Sequence, residues 1–311
     1  MNSYKPEGTL ISSNKNLEYI SSYEGLEKAL EDGAILEAPV VLADHELNLH
    51  VELCSNVRGI IPHNEVLHVR DNEKIKDIAV LTRVGKIVCF KIIGFEKHEN
   101  GKCIAILSRR AAQRECIDNF ISQLIPGDII PTKVTHLENF GAFVDIGCGI
   151  ISLLSIDSIS VSRISHPSAR LSVGDKLNAV VKSVDEKGRI FVSIRELLGT
   201  WEENASEFAE GQTVRGIVRS VENYGIFVEL KPNLAGLAEF RDNVYVGQSA
   251  AVYIKSIIPE KMKIKLIIIG VDDIPVYNDP LEYYIDTTRI SHVNSWTYSP
   301  LSSDRIIETV F

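Results

Sequence analysis

Apolar and polar residues alternate in short runs along most of this chain, and the same order of runs returns. The stretch ENFGAFVDI at 138–146 and the stretch ENYGIFVEL at 222–230 share five of nine residues, and the rest are exchanges of similar side chains. The match continues between 172–194 and 245–268, and a weaker copy covers 83–108. This pattern predicts an internal repeat. The three predicted units are 33–110, 127–197 and 211–270.

Each unit has the pattern of four or five short strands, rich in β-branched and aromatic residues and separated by Gly, Asn and Asp turns. Closure into a barrel removes the edges that so short a sheet would otherwise expose. We therefore expect an all-β fold with helical linkers, built from three tandem five-stranded barrels of the OB type, the first of them degenerate. The other predicted segments are an N-terminal extension at 1–32, helical linkers at 111–126 and 198–210, and an acidic, aromatic C-terminal segment at 271–311.

The second linker carries a helix-start signal. Thr200 followed by Glu203 forms the pattern of a capping box. Trp201, Ala205 and Phe208 then recur at helical spacing, which predicts a helix after Thr200.

The repeated strand places a ring and an acid on one face. Phe143 and Asp145 alternate with small and branched apolar residues, and Phe227 and Glu229 do the same in the other copy. Because an acidic residue is rarely buried without a partner, we expect this face to be exposed to solvent.

A second ring precedes each of these, at Phe140 and at Tyr224, where strict alternation would point it inward. The intervening Gly141 and Gly225 indicate a β-bulge that brings the two rings to one side. Exposed ring pairs are platforms on which unpaired bases stack, worth about 1–3 kcal/mol per base. The alternative interpretation places each ring pair under a loop.

Basic residues accompany the rings. Lys261, Lys263 and Lys265 alternate with apolar residues, which predicts one strand face with lysines about 6.6–6.8 Å apart. Such a spacing can follow a phosphate backbone, and a solvated outer face is the alternative. In the second unit the corresponding face carries Lys187, Arg189 and Arg195.

The formal net charge of −9 argues at first against a nucleic-acid partner, but the acid is unevenly placed. Residues 211–270 carry a net charge of +3, whereas 1–38 carry −4, 198–210 carry −4 and 271–311 carry −5. The acidic excess therefore lies in the ends and in one linker.

Several kinds of site and location are not expected. The five cysteines form no C-x-x-C pair and the eight histidines are scattered, so we expect reduced thiols and no metal site. No apolar run approaches the roughly 18 residues that cross a bilayer, and the start lacks a signal pattern. We expect a cytoplasmic protein with no membrane partner. The sequence has no phosphate loop and no recognisable catalytic constellation, so we expect no enzymatic activity and no cofactor.

The stretches GDIIPTKVTHLENFGAFVDIG and HPSARLSVGDKLNAVVKSVDEKGRIFVSI resemble the S1 RNA-binding domain, a family named for a ribosomal protein. The resemblance is clear in units two and three and weak in unit one, and the whole chain is similar to a three-repeat bacterial relative of ribosomal protein S1. It implies OB barrels that bind single-stranded RNA. The family's site positions fall on Phe140, Phe143, Asp185 and Arg189 in unit two, and on Tyr224, Phe227 and Lys263 in unit three.

The sequence departs from this family at a few positions. The family's histidine falls at Ser152 and Glu239, and its turn aspartate falls at Pro259 in unit three. Glu239 places a negative charge where phosphate or a base would bind, which weakens the prediction for unit three.

Unit one and the C-terminal segment have different expected roles. In ELNLHVEL the outward positions are Asn48, His50 and Glu52, so no ring pair remains. The resemblance implies that a leading repeat docks protein, here the small ribosomal subunit; a barrel that only completes the array is the alternative. We expect the C-terminal segment to pack on the third barrel, or else to dock a partner. Its aromatic residues are Tyr277, Tyr283, Tyr284, Trp296, Tyr298 and Phe311.

Two functions follow from these patterns. The first is non-catalytic binding of single-stranded RNA, with mRNA as the expected partner and an association with translation or the small ribosomal subunit. The second is a protein-binding adaptor with little affinity for RNA. The residues predicted to bind RNA are Phe140, Phe143, Asp185, Lys187, Arg189, Tyr224, Phe227, Lys255, Lys261, Lys263 and Lys265.

Overall fold

In the part of the chain that the structure describes, most strands close into three five-stranded barrels, which confirms the expected fold class. The structure is a computed structural model, and no helix in the residues it describes is long and apolar enough to span a membrane. The described residues are 4–54, 57–69, 74–97, 103–273 and 281–311, so Tyr277 lies outside them. The chain also divides into two compact units, which differ from the three sequence repeats. From here on, the first unit and the second unit are these two compact parts of the chain. The first unit contains residues 1–124, 131–133 and 145–151, and the second contains 125–130, 134–144 and 152–311.

The first unit holds two N-terminal helices and the first barrel, whose strands follow the order β1-β2-β3-β5-β4. A short helix separates β3 from β4, and a longer one follows β5. In chain order the elements are α1 (Asn14–Ile20), α2 (Tyr23–Glu31), β1 (Leu36–Ala43), β2 (Leu49–Glu52), β3 (Val57–Ile61), α3 (Asp77–Leu81), β4 (Ile87–Lys97), β5 (Cys103–Ser108) and α4 (Arg109–Asn119).

The two N-terminal helices belong to the core of the first unit, although the sequence patterns left them as an extension. Ser13 and Ser22 cap them, each accepting a hydrogen bond from a backbone N–H of the first turn. Leu26 and Ala29 of α2 are buried and belong to the same apolar core as Phe90 of β4. The helices α1 and α2 therefore contribute to the first barrel's core.

A buried ionic network joins distant segments of the first unit. The Arg109 side chain, which is fully buried, donates to both carboxylate oxygens of Glu7 (2.7 and 3.1 Å). Burial acts to raise the pKa of Glu7, but the Arg109 guanidinium outweighs it, so this pKa lies below its usual value. The backbone N–H of Glu7 donates in turn to Asp145 (2.7 Å). Every charged group in the network therefore has a partner.

The second and third barrels lie mainly in the second unit. Their strand orders are β10-β8-β7-β6-β9 and β11-β12-β13-β15-β14. The second barrel contains β6 (Ile129–Glu138), β7 (Gly141–Asp145), β8 (Ile151–Ser155), β9 (Lys176–Val184) and β10 (Ile190–Ser193). After the linker helix α5 (Trp201–Ala205), the third contains β11 (Thr213–Glu222), β12 (Gly225–Lys231), β13 (Leu234–Ala238), β14 (Ser249–Ile258) and β15 (Lys263–Asp272).

The predicted capping box is confirmed at α5. The Thr200 hydroxyl accepts from the backbone N–H of Glu203, and the Glu203 carboxylate accepts from the backbone N–H of Thr200. The helix is shorter than expected, because it ends at Ala205 and leaves Phe208 beyond its end.

The C-terminal segment packs on the third barrel, as expected. Its hairpin, β16 (Ser295–Thr297) and β17 (Glu308–Val310), places the buried rings of Trp296 and Tyr298 in the same apolar core as Trp201 of α5. The Tyr298 hydroxyl donates to the backbone carbonyl of Asn233 (2.5 Å). Trp296 and Tyr298 thus contribute to the third barrel's core.

A second buried ionic network joins the second and third barrels. Glu229, on β12, is 4% exposed and pairs with two guanidinium groups, those of Arg170 and Arg219. Arg219 lies on the neighbouring strand β11, whereas Arg170 comes from the long loop between β8 and β9. The Arg170–Glu229 pair therefore fixes this loop of the second barrel against the third barrel.

Arg170→Met should destabilise the second unit by about 3 kcal/mol, because it removes one partner of a buried carboxylate, although Arg219 remains. Urea unfolding followed by tryptophan fluorescence measures this, since both tryptophans, Trp201 and Trp296, lie in the second unit. Arg189→Met is the control, because Arg189 forms an exposed pair with Asp185 worth at most about 1 kcal/mol. Equal losses in the two variants would contradict the proposed importance of the buried network.

The first unit should lose stability as the pH rises from 6 to 8. Burial raises the pKa of Glu37 to about 7, and burial with the nearby charge of Glu7 raises that of Asp145 to about 7. Both pKa values exceed those of the unfolded chain, so below about pH 7 the folded state binds more protons than the unfolded state. The stability that this protonation contributes is lost as the pH rises through about 7. The expected loss is on the order of 1 kcal/mol for each carboxyl.

Urea unfolding followed by circular dichroism at pH 6 and pH 8 measures this loss, and tryptophan fluorescence marks the transition of the second unit separately. Glu37→Gln should remove about half of the pH dependence. A first-unit transition that stays constant or moves to higher urea at pH 8 would contradict the assignment.

Candidate nucleic-acid interface

The two predicted ring pairs are present with nearly the same geometry. The Phe140 and Phe143 ring centroids lie 6.0 Å apart at an interplanar angle of 88°, and those of Tyr224 and Phe227 lie 6.2 Å apart at 86°. Phe140 is 54% exposed and Tyr224 is 70% exposed, while the second ring of each pair is half-buried. Each pair therefore presents one open ring face braced by an edge-on neighbour.

The expected glycine bulge is wrong. Phe140 and Tyr224 each occupy the second position of a two-residue hairpin turn, and this position exposes the ring. The irregularity between β11 and β12 lies elsewhere, between Val218 and Ser220. Gly141 and Gly225 have a different role, because a β-carbon at either would approach a backbone carbonyl oxygen to 2.4 or 2.5 Å.

The expectation that the acid beside each ring faces solvent is also wrong. Asp145 is 2% exposed and Glu229 is 4% exposed. Asp145 accepts three backbone hydrogen bonds, from the N–H groups of Glu7, Gly147 and Gly149. Glu229 is covered by its two arginines. These residues point away from the barrel interior as alternation predicts, but other segments of the chain cover them and supply donors.

In the third barrel a row of side chains extends from the ring pair across three strands. Phe227 on β12 pairs with Leu237 on β13, and Leu237 pairs with Lys265 on β15. Residues opposite one another on neighbouring strands share a face. We call this set the exterior row, because the residues that alternate with it, such as Val228 and Leu266, are buried inside the barrel.

The equivalent positions of the second barrel carry Leu153 on β8 and Phe191 on β10, which pair in parallel register. Phe191 is half-buried and was not predicted, although the alternating stretch RIFVSI contains it. His136 on β6 is a second residue that the sequence patterns missed. Its ring stacks on Phe143 at 6.4 Å and 18°, and its Nε2 lies 2.8 Å from Glu138.

The lysines of the third barrel are arranged differently from the predicted stripe. Lys261 belongs to a single 3₁₀ turn, and Met262 follows it in the left-handed conformation (φ 48°), so Lys261 does not share the strand face. Lys263 and Lys265 are exposed on β15 as predicted. Lys255 on β14 is exposed at a bulge between Ile254 and Ser256, directly beside Lys265 in the sheet.

The turn between β9 and β10 gathers the predicted residues of the second barrel. Asp185 accepts backbone hydrogen bonds from Lys187 (2.9 Å) and Arg189 (2.8 Å) and pairs with the Arg189 guanidinium (2.6 Å). The backbone hydrogen bond from Arg189 is the main cause that lowers the pKa of Asp185. Asp185 therefore shapes the turn, while Lys187 and Arg189 extend into solvent.

Arg195 lies apart from this face, contrary to expectation. It pairs with Glu196 (3.1 Å), and its guanidinium lies over the Trp296 ring at 5.9 Å. Arg195 therefore helps to hold the C-terminal segment.

The position of the family's histidine needs a correction in the second barrel. Ser152 is buried and donates to the backbone carbonyl of Ile190 (2.7 Å). The β-carbon position of Gly141 approaches the carbonyl of Leu154, and that of Gly225 approaches the carbonyl of Ala238. Leu154 and Ala238 are therefore equivalent positions. The residue equivalent to Glu239 is therefore Ser155, and Glu239 itself is exposed.

The exterior row of the first barrel consists of one histidine and two isoleucines. His50 on β2 pairs with Ile60 on β3, and Ile60 pairs with Ile106 on β5. Leu42, opposite His50 on β1, is 46% exposed, and Ile93 at the bulge of β4 is 49% exposed. No aromatic ring pair occupies this row. Within the described ranges, no group of three or more His, Cys, Asp or Glu residues could hold a metal ion.

Comparison with known proteins gives one matching family and a set of bacterial relatives. Residues 123–195 match the S1 RNA binding domain. The chain is 32% identical over 241 residues to small ribosomal subunit protein bS1 of Staphylococcus saprophyticus, and 30% identical over 274 residues to bS1 of Staphylococcus epidermidis. These alignments cover 76% and 86% of this chain but only 58% and 65% of the relatives. The chain thus spans less than two thirds of their length.

Among solved structures, the chain matches a multidomain protein with nucleic acid binding domains from Streptococcus pneumoniae TIGR4. The two are 16% identical, and the match covers 78% of this chain and 75% of that one. The TM-score of this match is 0.24.

Gly225→Ala should destabilise the second unit by about 1–3 kcal/mol, because the new methyl group would lie 2.5 Å from the carbonyl oxygen of Ala238. Tryptophan-monitored urea unfolding measures this change. Gly270→Ala is the matched control on β15, since no heavy atom lies within 4 Å of its β-carbon position, and it should cost less than about 0.5 kcal/mol. If both variants were as stable as the wild type, the close approach would not be what requires glycine.

Proposed function

We propose, from the premise that this chain is a relative of the bacterial bS1 proteins and carries an S1 RNA-binding domain, that it binds single-stranded RNA without catalysing a reaction. The binding surface is the ring pair and exterior row of the second and third barrels. The proposed partner is mRNA, in the cytoplasm and in association with the small ribosomal subunit.

The observation that carries this proposal is the repetition of one ring geometry on two barrels. Two T-shaped pairs agree within 0.2 Å in centroid distance and 2° in angle, and in each the ring in the turn is exposed by more than half. Exposure of an aromatic ring to water is unfavourable and adds nothing to a core. A ring that is exposed at the same position in two barrels therefore favours a ligand with flat apolar faces. Unpaired bases have such faces, and each stacked base contributes about 1–3 kcal/mol.

The charge around the rings fits a phosphate backbone. Lys255, Lys263 and Lys265 form no ion pair within the described ranges and lie beside the exterior row of the third barrel. Lys187 and Arg189 are exposed near Phe191 in the second barrel. Arg189 pairs with Asp185, whereas the three lysines of the third barrel have no such partner and are available to replace the counterions of RNA.

The first barrel supports a different role in the same protein. Its exterior row has His50 at the position of the strand phenylalanine and isoleucines at the other two positions, so it lacks the aromatic ring pair of the other two barrels. We propose that this barrel makes the contact with the small ribosomal subunit. The adaptor function, in which all barrels bind protein, is the second candidate, and the exposed Glu239 beside the third ring pair favours it.

The test is titration of labelled oligo-uridine with the wild type and with Phe140→Ala combined with Tyr224→Ala. These rings are exposed, so their removal should leave folding intact while weakening binding by about 2–6 kcal/mol in total. Wild-type binding should also weaken with salt. Tyr245→Ala, which removes a ring 63% exposed in the loop between β13 and β14, is the matched control.

Unchanged affinity in the double variant would eliminate stacking as the binding mode. Undetectable binding of the wild type at low salt would favour the adaptor function.

A further inference from the structure

The exterior face of β14 and β15 is open in the third barrel. Tyr253 on β14 is 36% exposed and lies directly opposite Ile267 on β15, which is 41% exposed. Ile269, two residues further along β15, is 58% exposed. An aromatic ring and two branched side chains thus form an apolar strip next to the exterior row.

The same positions are covered in the other two barrels. A bulge leaves Lys255 unpaired in the third barrel, and a bulge at the same place leaves Lys182 unpaired in the second. Counted from these bulges, Val180 is the counterpart of Tyr253 and Ser193 is the counterpart of Ile267. Both are 0% exposed. In the first barrel the counterpart of Ile267 is Ser108, also 0% exposed, which caps α4. The third barrel alone, among the described residues, leaves this face uncovered.

The charge of the open face identifies the kind of ligand that fits it. The strand residues exposed on this face include three lysines, Lys255, Lys263 and Lys265, and one acidic residue, Asp272, at the far end of β15. A second copy of this chain or a docked protein would have to bury these ammonium groups, at a cost, unless it supplied matching acids. A single-stranded RNA supplies phosphates for the lysines and a base for the ring.

The open face is continuous with the ring pair. Lys265 belongs to the exterior row with Leu237 and Phe227, and Ile267 lies two residues beyond it, about 6.6–6.8 Å along β15. An RNA strand that stacks on Tyr224 and crosses the exterior row would therefore reach Lys265 and then Tyr253.

We propose that Tyr253 is a third base-stacking position of the third barrel, with Lys255 and Lys265 binding the adjoining phosphates. This inference rests on the proposed RNA-binding function and extends it. The third barrel then takes a longer segment of single-stranded RNA than the second barrel, where the equivalent face is covered.

The experiment measures the affinity of the full chain for oligo-uridine of four and of twelve nucleotides. The background is Phe140→Ala with Phe143→Ala, so that binding reports the third barrel. Tyr253→Ala should weaken binding of the twelve-nucleotide RNA by about 5- to 150-fold and leave the four-nucleotide RNA within twofold. Tyr253→Phe should bind like the background, since it keeps the ring, and Tyr245→Ala is the control for loss of an exposed tyrosine. In the wild type, photo-crosslinking with 4-thiouridine RNA of twelve nucleotides should attach RNA to the peptide that contains Tyr253.

Three results would overturn the inference. If Tyr224→Ala weakens binding but Tyr253→Ala does not at either length, the RNA does not reach this face, and the proposed function stands without the extension. If Tyr253→Ala instead weakens self-association in sedimentation while RNA affinity is unchanged, the occupant is a second copy. If the wild type binds neither RNA, the proposed function fails and the extension fails with it.

Discussion

The arrangement of this chain depends on a carboxylate that is buried two residues after the strand ring. A buried carboxylate is tolerated only where donors surround it. In the second barrel Asp145 receives backbone N–H groups, one of them from Glu7 near the N-terminus, and in the third barrel Glu229 receives two guanidinium groups. Because one donor to each acid comes from a segment distant in sequence, satisfying the acid also fixes a remote part of the chain. The same repeat position therefore serves as an attachment point in both barrels.

The exterior row shows how one scaffold can support different ligands. Backbone register places a strand residue, an aliphatic neighbour and a final side chain at equivalent positions in each barrel. The final side chain is Phe191 in the second barrel, Lys265 in the third and Ile106 in the first. Since the register does not change, the chemistry of the face is decided by side-chain identity alone. This separates the roles we propose for the first barrel and for the other two.

The sequence patterns correctly predicted the features that depend on residues close to one another in the chain. Alternation and turn residues were enough for the three barrels, the ring pairs and the capping box at Thr200. The errors have other origins. Asp145 and Glu229 follow the strand alternation, but each also accepts a hydrogen bond from a distant segment, 138 residues away for Asp145 and 59 for Glu229, which alternation cannot reveal. Lys261 was misplaced because a 3₁₀ turn and a left-handed Met262 interrupt a sequence that alternates without a break. The helices of 14–31 were not predicted, although the serine caps at Ser13 and Ser22 and the helical spacing of the apolar residues in α2 are local signals.

The net charge of −9 also has to be interpreted through the structure. Glu37 and Asp145 have pKa values of about 7, so at neutral pH each carries only part of its formal charge. Glu7 and Glu229 are neutralised by buried arginines. The lysines of β14 and β15, in contrast, are exposed and have no acidic partner among the described residues. An approaching polyanion responds to the electrostatic field at the surface it meets. The net charge of the whole chain does not represent that local field. Much of the acid in the formal total is paired, protonated or distant from the strand face, so the acidic composition does not oppose RNA binding there.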